Sequence, residues 1–158
     1  MLLPFFQWIE SLGFSASIDP SGYVTAAVNV MHLLALTVFV GALLVVDLRL
    51  LGRGMKQQPL AEVARDAQPW LIGGFLAMLS TGVPQILATP IKEYYSPHFW
   101  LKMEVILVAL IFTFTVRRMI AQAGEGRVAP VWRKLVALVS IGMWTTVATA
   151  GRLIGLMS

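Results

Sequence analysis

The 158-residue chain contains no cysteine. Disulfides, thiolate-held zinc, iron–sulfur clusters and cysteine nucleophiles are therefore excluded. Charge is also scarce. Asp, Glu, Lys and Arg make up 13% of the residues, against roughly 25% in ordinary soluble domains. No Gly-rich phosphate loop, zinc signature or Ser/His/Asp arrangement occurs, and there are only two histidines. What fills the chain instead is apolar: 58% of residues, with a mean hydropathy of +0.77. These values select the integral membrane class. The net charge of +4 does not point to nucleic acid. The basic residues sit between apolar runs, where membrane topology puts them, and have no stacking aromatics beside them.

The segment before residue 15 lacks a basic n-region and carries Glu10, so no cleavable signal peptide is expected. Leu2, Leu3, Phe5, Phe6, Trp8 and Ile9 fit an amphipathic helix over about residues 3–14, lying in the membrane interface. Four runs then reach the ~20 residues a transmembrane helix needs: about 23–46, 69–89, 97–118 and 130–156. Ser21 is the expected N-cap of the first, and Ser96-Pro97 opens the third with a cap followed by proline. The expected fold is all-α, a four-transmembrane-helix bundle with a short N-terminal interfacial helix, forming a single integral membrane domain over 1–158.

Orientation follows from Lys and Arg in the short loops. Arg49, Arg53, Lys56, Arg65, Arg117, Arg118, Arg127, Arg133 and Lys134 are nine of the twelve basic residues. The loops 47–68 and 118–130 are therefore expected in the cytoplasm of a bacterial-type inner (plasma) membrane, with both termini periplasmic or extracellular. Two small-residue stripes, Gly73-Ala77-Thr81 and Gly142-Thr146-Ala150, are expected to let helix backbones approach closely. Pro84 should free the carbonyl of Ser80.

Ionisable groups inside spans are costly and are functional candidates by default. His32 lies fifteen residues from Asp47, Lys102 fifteen from Arg117, and Gln85 fifteen from Trp70. At 1.5 Å per residue, each sits roughly 22 Å from the same boundary. Arg152 and His98 lie nearer the other surface. Ser21, Thr25, Asn29 and His32 share one helix face, as do His98 and Lys102. His32 is thus the candidate metal ligand or proton-transfer group of a polar layer. Lys102, Arg152, Gln85, Asn29 and His98 are candidate cofactor contacts, and each also has a plain reading as a helix-end anchor or interhelical hydrogen-bonding group. Glu104 points away from Lys102 and is expected to meet Arg152 or a polar group on a neighbour. Asp47 and Arg49 read most simply as a solvated helix end. Met31, Met103 and Met143 offer thioethers to Cu(I) but serve equally as packing.

The pattern His32, Asp47-Leu48-Arg49-Leu50-Leu51-Gly52, Gly82, Phe99-Trp100-Leu101-Lys102 and Gly151-Arg152 resembles a group of uncharacterised bacterial four-helix membrane proteins. That resemblance spans nearly the whole chain and implies the fold. Over the first three spans, His32, Arg49 and Lys102 also resemble positions of HemJ-type protoporphyrinogen oxidases and CopD-type copper-resistance membrane proteins. This second resemblance implies b-type haem on His32, Lys102 near porphyrin carboxylates, and Arg49 as a site residue. The chain departs from the HemJ pattern after Arg49, where it reads Leu50-Leu51-Gly52, and lacks that family's C-terminal Arg-x-x-Asn-Glu.

Two readings follow. The first is a haem-b-binding membrane redox protein with a porphyrin as ligand or substrate. The second is a non-enzymatic membrane subunit, a homodimer or part of a larger membrane assembly, or a small copper or proton transporter. The sequence leaves open whether the protein is an enzyme.

Overall fold

Long apolar runs leave the backbone no partner in a membrane but itself, so the chain solves the problem with helices. A computed structural model describes residues 3–13, 22–123 and 126–157, the last stretch without side chains from Ala150 onward. Among these residues there are helices and no strands. They are α1 (Leu3–Ser11), α2 (Tyr23–Leu50), α3 (Leu60–Ala88), α4 (Pro90–Tyr95), α5 (Pro97–Phe112), a π-helical turn (Thr113–Arg117), α6 (Arg118–Gln122) and α7 (Pro130–Met157). Helix α5, the π-turn and α6 form one continuous rod, so four helices are long and apolar enough to cross a membrane.

The spans run longer than the apolar runs alone suggest. Helix α2 continues to Leu50 and the third span to Gln122. Helix α3 starts at Leu60 rather than at Pro69. Residues 60–68 are good helix formers, and Pro69 lies in the helix interior instead of opening it. Pro84 also lies inside α3, where its missing N–H leaves the Ser80 carbonyl without its usual intrahelical donor. The expected cap Ser21 lies outside the described residues; Gly22 holds the cap position.

Helix α2 is the hub. It packs most extensively on α3 and also on α7, which in turn packs on α5. One core cluster centres on Phe39, Leu43, Leu71, Ala109, Trp144 and Val147. Phe39 is fully buried and meets Trp144 edge-on, with ring centroids 4.6 Å apart. The α2–α3 contact is set by Gly74. A Cβ there would stand 3.0 Å from the Phe39 backbone, so any side chain would force the two helices to shift apart. The glycine of close approach is thus Gly74, which is not in the expected Gly73-Ala77-Thr81 stripe; Gly73 itself faces open space. In the α7 stripe Gly142 likewise meets nothing, and Thr146 is exposed. Gly142 and Thr146 thus look outward, while Ala137 and Ser140 are at 0% exposure.

Helix α1 does not stand alone in the interface. Phe6 and Ile9 are buried, and the Phe6 ring lies among Tyr94, Phe99 and Trp100. Phe5 and Trp8 on its other side are exposed. The helix therefore closes the His32 end of the bundle with one face and offers the other to its surroundings.

Candidate functional site

Two polar clusters lie along the bundle, and an ion pair fixes their relative heights. Arg117 Nε donates to Asp47 Oδ1 at 2.6 Å, tying α2 to the third span. The two helices run parallel. His32 and Lys102, each fifteen residues from its member of the pair, therefore stand at a common level about 22 Å away.

At that level the imidazole is half-buried and turned toward α3. Its Nδ1 lies 2.9 Å from Thr81 Oγ1. The Thr81 hydroxyl donates to the Ala77 carbonyl at 2.7 Å, and a hydroxyl has one proton. With that proton donated to Ala77, Thr81 Oγ1 can accept from a protonated Nδ1, the tautomer that leaves a lone pair on Nε2, and the Met78 backbone is a further hydrogen-bond partner of the ring. The ring edge rests on Gly82, where a Cβ would come within 3.3 Å of His32 Cε1. Gln85, one turn beyond Thr81, donates to the Thr81 carbonyl at 3.2 Å. Half-buried Lys102 acts electrostatically on His32, and the Glu93 carboxylate of α4 acts on Lys102. His32, Lys102 and Gln85 thus belong to one neighbourhood, with Thr81, Gly82 and Glu93 added to it.

Other sequence candidates fall elsewhere. Asn29 is exposed. His98 is exposed in the first turn of α5, and Glu104 is exposed as well. The Arg152 side chain lies outside the described residues. Arg49 is seventeen residues from His32, roughly 25 Å along α2, and serves a different purpose. Its Nε and Nη2 both donate to the Gln58 carbonyl, at 3.0 and 2.9 Å, and so pin the 51–59 loop to the helix end.

The second cluster corrects the reading of Asp47 and Arg49 as a solvated helix end, and of Arg117 as a loop residue. Asp47 is 1% exposed and Arg117 3%. Besides the ion pair, Ser140 donates to Asp47 Oδ2 at 2.7 Å and Arg117 Nη2 donates to the Leu43 carbonyl at 2.9 Å. One turn away, Trp144 Nε1 donates to Thr113 Oγ1 at 3.1 Å. The π-turn explains how Arg117 gets inside. Ala109, Thr113, Arg117 and Ala121 are all buried, and a strict four-residue spacing drifts around an α-helix. A wider π-turn takes up that drift and holds all four on one face. Arg118, one residue on, is exposed.

As for ligand sets, no three His, Asp or Glu side chains come together among the described residues. Met31 is exposed, and Met143 packs on the Phe39 core.

The chain belongs to a family of unknown function, DUF6644, whose model matches residues 5–157. No curated protein and no solved structure matches it.

Proposed function

We propose that this DUF6644 member is a bacterial inner-membrane redox protein that binds one b-type haem through His32. The observation that carries the proposal is the 2.9 Å contact of His32 Nδ1 with Thr81 Oγ1, which suits the tautomer with its proton on Nδ1 and a lone pair on Nε2. Histidines that bind metals almost always have their other nitrogen engaged in this way, which sets ring orientation and raises ligand basicity. The donor set favours haem over a bare ion. A copper or zinc ion needs several protein ligands. A haem brings four nitrogens of its own and needs only an axial one.

His32 would hold the iron, and Lys102 would face a propionate. Thr81 keeps the imidazole aligned, and Gly82 keeps its edge clear. When bound, the haem supplies one-electron chemistry at iron. The likeness of His32 and Lys102 to HemJ-type positions extends the proposal to a porphyrin-type substrate. Arg49, pinned to the 51–59 loop, is not part of it. We place the 47–68 and 118–130 segments in the cytoplasm, on the basic residues in and beside them (Arg49, Arg53, Lys56, Arg65, Arg117, Arg118, Arg127, Arg133 and Lys134).

Haemin titrated into detergent-purified protein should give a saturable Soret shift at one equivalent. His32→Ala should abolish the shift, and added imidazole should restore it. An unchanged Soret band in His32→Ala would overturn the proposal. The buried Asp47–Arg117–Ser140 cluster favours a second reading, a non-enzymatic membrane subunit whose polar groups serve helix association. A stoichiometric membrane partner, with no haemin shift, would select it.

A further inference from the structure

The sequence of the third span fits two inward faces, and the π-turn selects between them. With Thr113–Arg117 wound as a π-turn, Ala109, Thr113, Arg117 and Ala121 are all buried. A π-turn amounts to one residue inserted into an α-helix. Without it, everything beyond would turn by about 100°, one residue's share of a 3.6-residue turn. Ala109 and Thr113 would then be followed inward by Val116 and Ile120, at the three- and four-residue steps of a regular helix face. Both replacements are apolar. Val116 is exposed, and Ile120 lies half-buried against the core cluster of Val46, Leu50 and Leu60. An ordinary α-helical register is thus available to the span, and it puts no charge in the core.

The rarer register is held by the Asp47 charge. Arg117 Nε meets Asp47 Oδ1 at 2.6 Å, and Ser140 holds the other carboxylate oxygen. Among the described residues Arg117 is the one charge that acts on Asp47. On α2, Arg49 is engaged with the Gln58 carbonyl. On α3, Glu62, Arg65 and Asp66 are exposed, and so is Arg118 on α6. On α7, Arg133 and Lys134 lie six or seven residues from Ser140, roughly 10 Å along the helix. A neutral Asp47 would strand Arg117 as a buried, uncompensated charge, which is strongly unfavourable. Rotation of α6 relieves it, because a long Arg side chain near a span's end can reach the interface while its stem stays on apolar surface. The other half of the rod is anchored by buried Phe99 and Ala109, so α6, which packs on α3, is the part that turns.

We infer that the Asp47–Arg117 pair is a charge-operated latch on the π-turn. While Asp47 is charged, Arg117 and Ala121 face inward; when that charge is lost, the turn relaxes to an α-helix and Val116 and Ile120 take their places. The inference does not depend on a cofactor at His32. The chain has no cysteine, so thiol labelling reads the register directly. Single cysteines at Ile120 and Ala121 are treated with a water-soluble maleimide in detergent-purified, full-length protein. With Asp47 intact, Ala121→Cys should be protected and Ile120→Cys should react. Asp47→Asn should reverse that order. The double change Asp47→Leu with Arg117→Met, which strands no charge, should reverse it too and decides the matter if Asp47→Asn fails to fold. Deleting exposed Thr115 removes the inserted residue, so Arg117 and Ala121 stay inward on a regular helix. That variant should keep Ala121→Cys protected with or without the Asp47 charge. Unchanged protection of Ala121→Cys in the folded double variant would overturn the inference. So would equal labelling of both cysteines there, which means loosening without rotation, or loss of Ala121→Cys protection in the deletion variant.

Discussion

At the residue scale, the two polar clusters make different demands. Asp47 and Arg117 have left water together, so removing one strands the other. Asp47→Ala should cost about 3–5 kcal/mol, the usual penalty for an uncompensated buried charge. The double change Asp47→Leu with Arg117→Met should be far milder, because it removes both charges and keeps apolar volume. Arg117→Lys should not rescue function of the pair. A single ammonium lacks the planar fork that reaches the Asp47 carboxylate and the Leu43 carbonyl at once. Thermal unfolding in detergent distinguishes these outcomes. Thr81→Val is the complementary test at the other cluster. It preserves shape but removes the acceptor for His32 Nδ1–H, so haem affinity should fall by about 10–100-fold with little change in stability.

These residues also show what a sequence can and cannot reveal. The shared level of His32 and Lys102 was readable, because helix rise is fixed and the two spans run parallel. The partner of His32 was harder to see. Thr81 resembles any small residue in an apolar helix until α2 and α3 are placed side by side. Asp47 and Arg117 looked like the ends of spans because charge normally marks those ends. The signal against that reading was faint: Arg117 follows Ala109 and Thr113 at four-residue steps, a spacing that becomes a single face only with the π-turn.

At the element scale, backbone proximity decides the α2–α3 pair. Gly74→Ala would put a Cβ 3.0 Å from three atoms of Phe39, two of them backbone. Neither helix can yield there without disturbing the Phe39 core. The substitution should destabilise by about 1–3 kcal/mol, as overpacking does elsewhere. Gly73→Ala, one residue away and facing open space, should be nearly silent. The comparison can be made by thermal unfolding of the two variants. A four-residue stripe in the sequence identified the right turn of α3 but not which of two adjacent glycines faces the neighbour. That choice depends on helix rotation, which periodicity in a nearly uniform apolar segment leaves undetermined. The early start of α3 has a similar cause. Hydropathy marks where a helix enters the apolar layer, whereas helix propensity lets it begin nine residues sooner.

At the scale of the whole molecule, the bundle has one end closed by aromatic packing of α1 and another organised by Arg49 and the Asp47–Arg117 pair. The absence of cysteine makes its orientation directly measurable. Single cysteines at Gln57 and at Tyr95, on opposite ends, should label from opposite sides of an intact membrane, with Gln57→Cys reached only from the cytoplasm. Labelling of Gln57→Cys from outside would reverse the topology proposed from loop charge.

The central claim is that one imidazole, held at Nδ1 by Thr81, offers Nε2 to a haem iron. A pyridine haemochrome spectrum of protein purified from haem-replete cells tests it most directly. The account predicts close to one haem b per chain in wild type and in His98→Ala, and none in His32→Ala. A colourless wild-type protein, or equal haem content in His32→Ala, would contradict it.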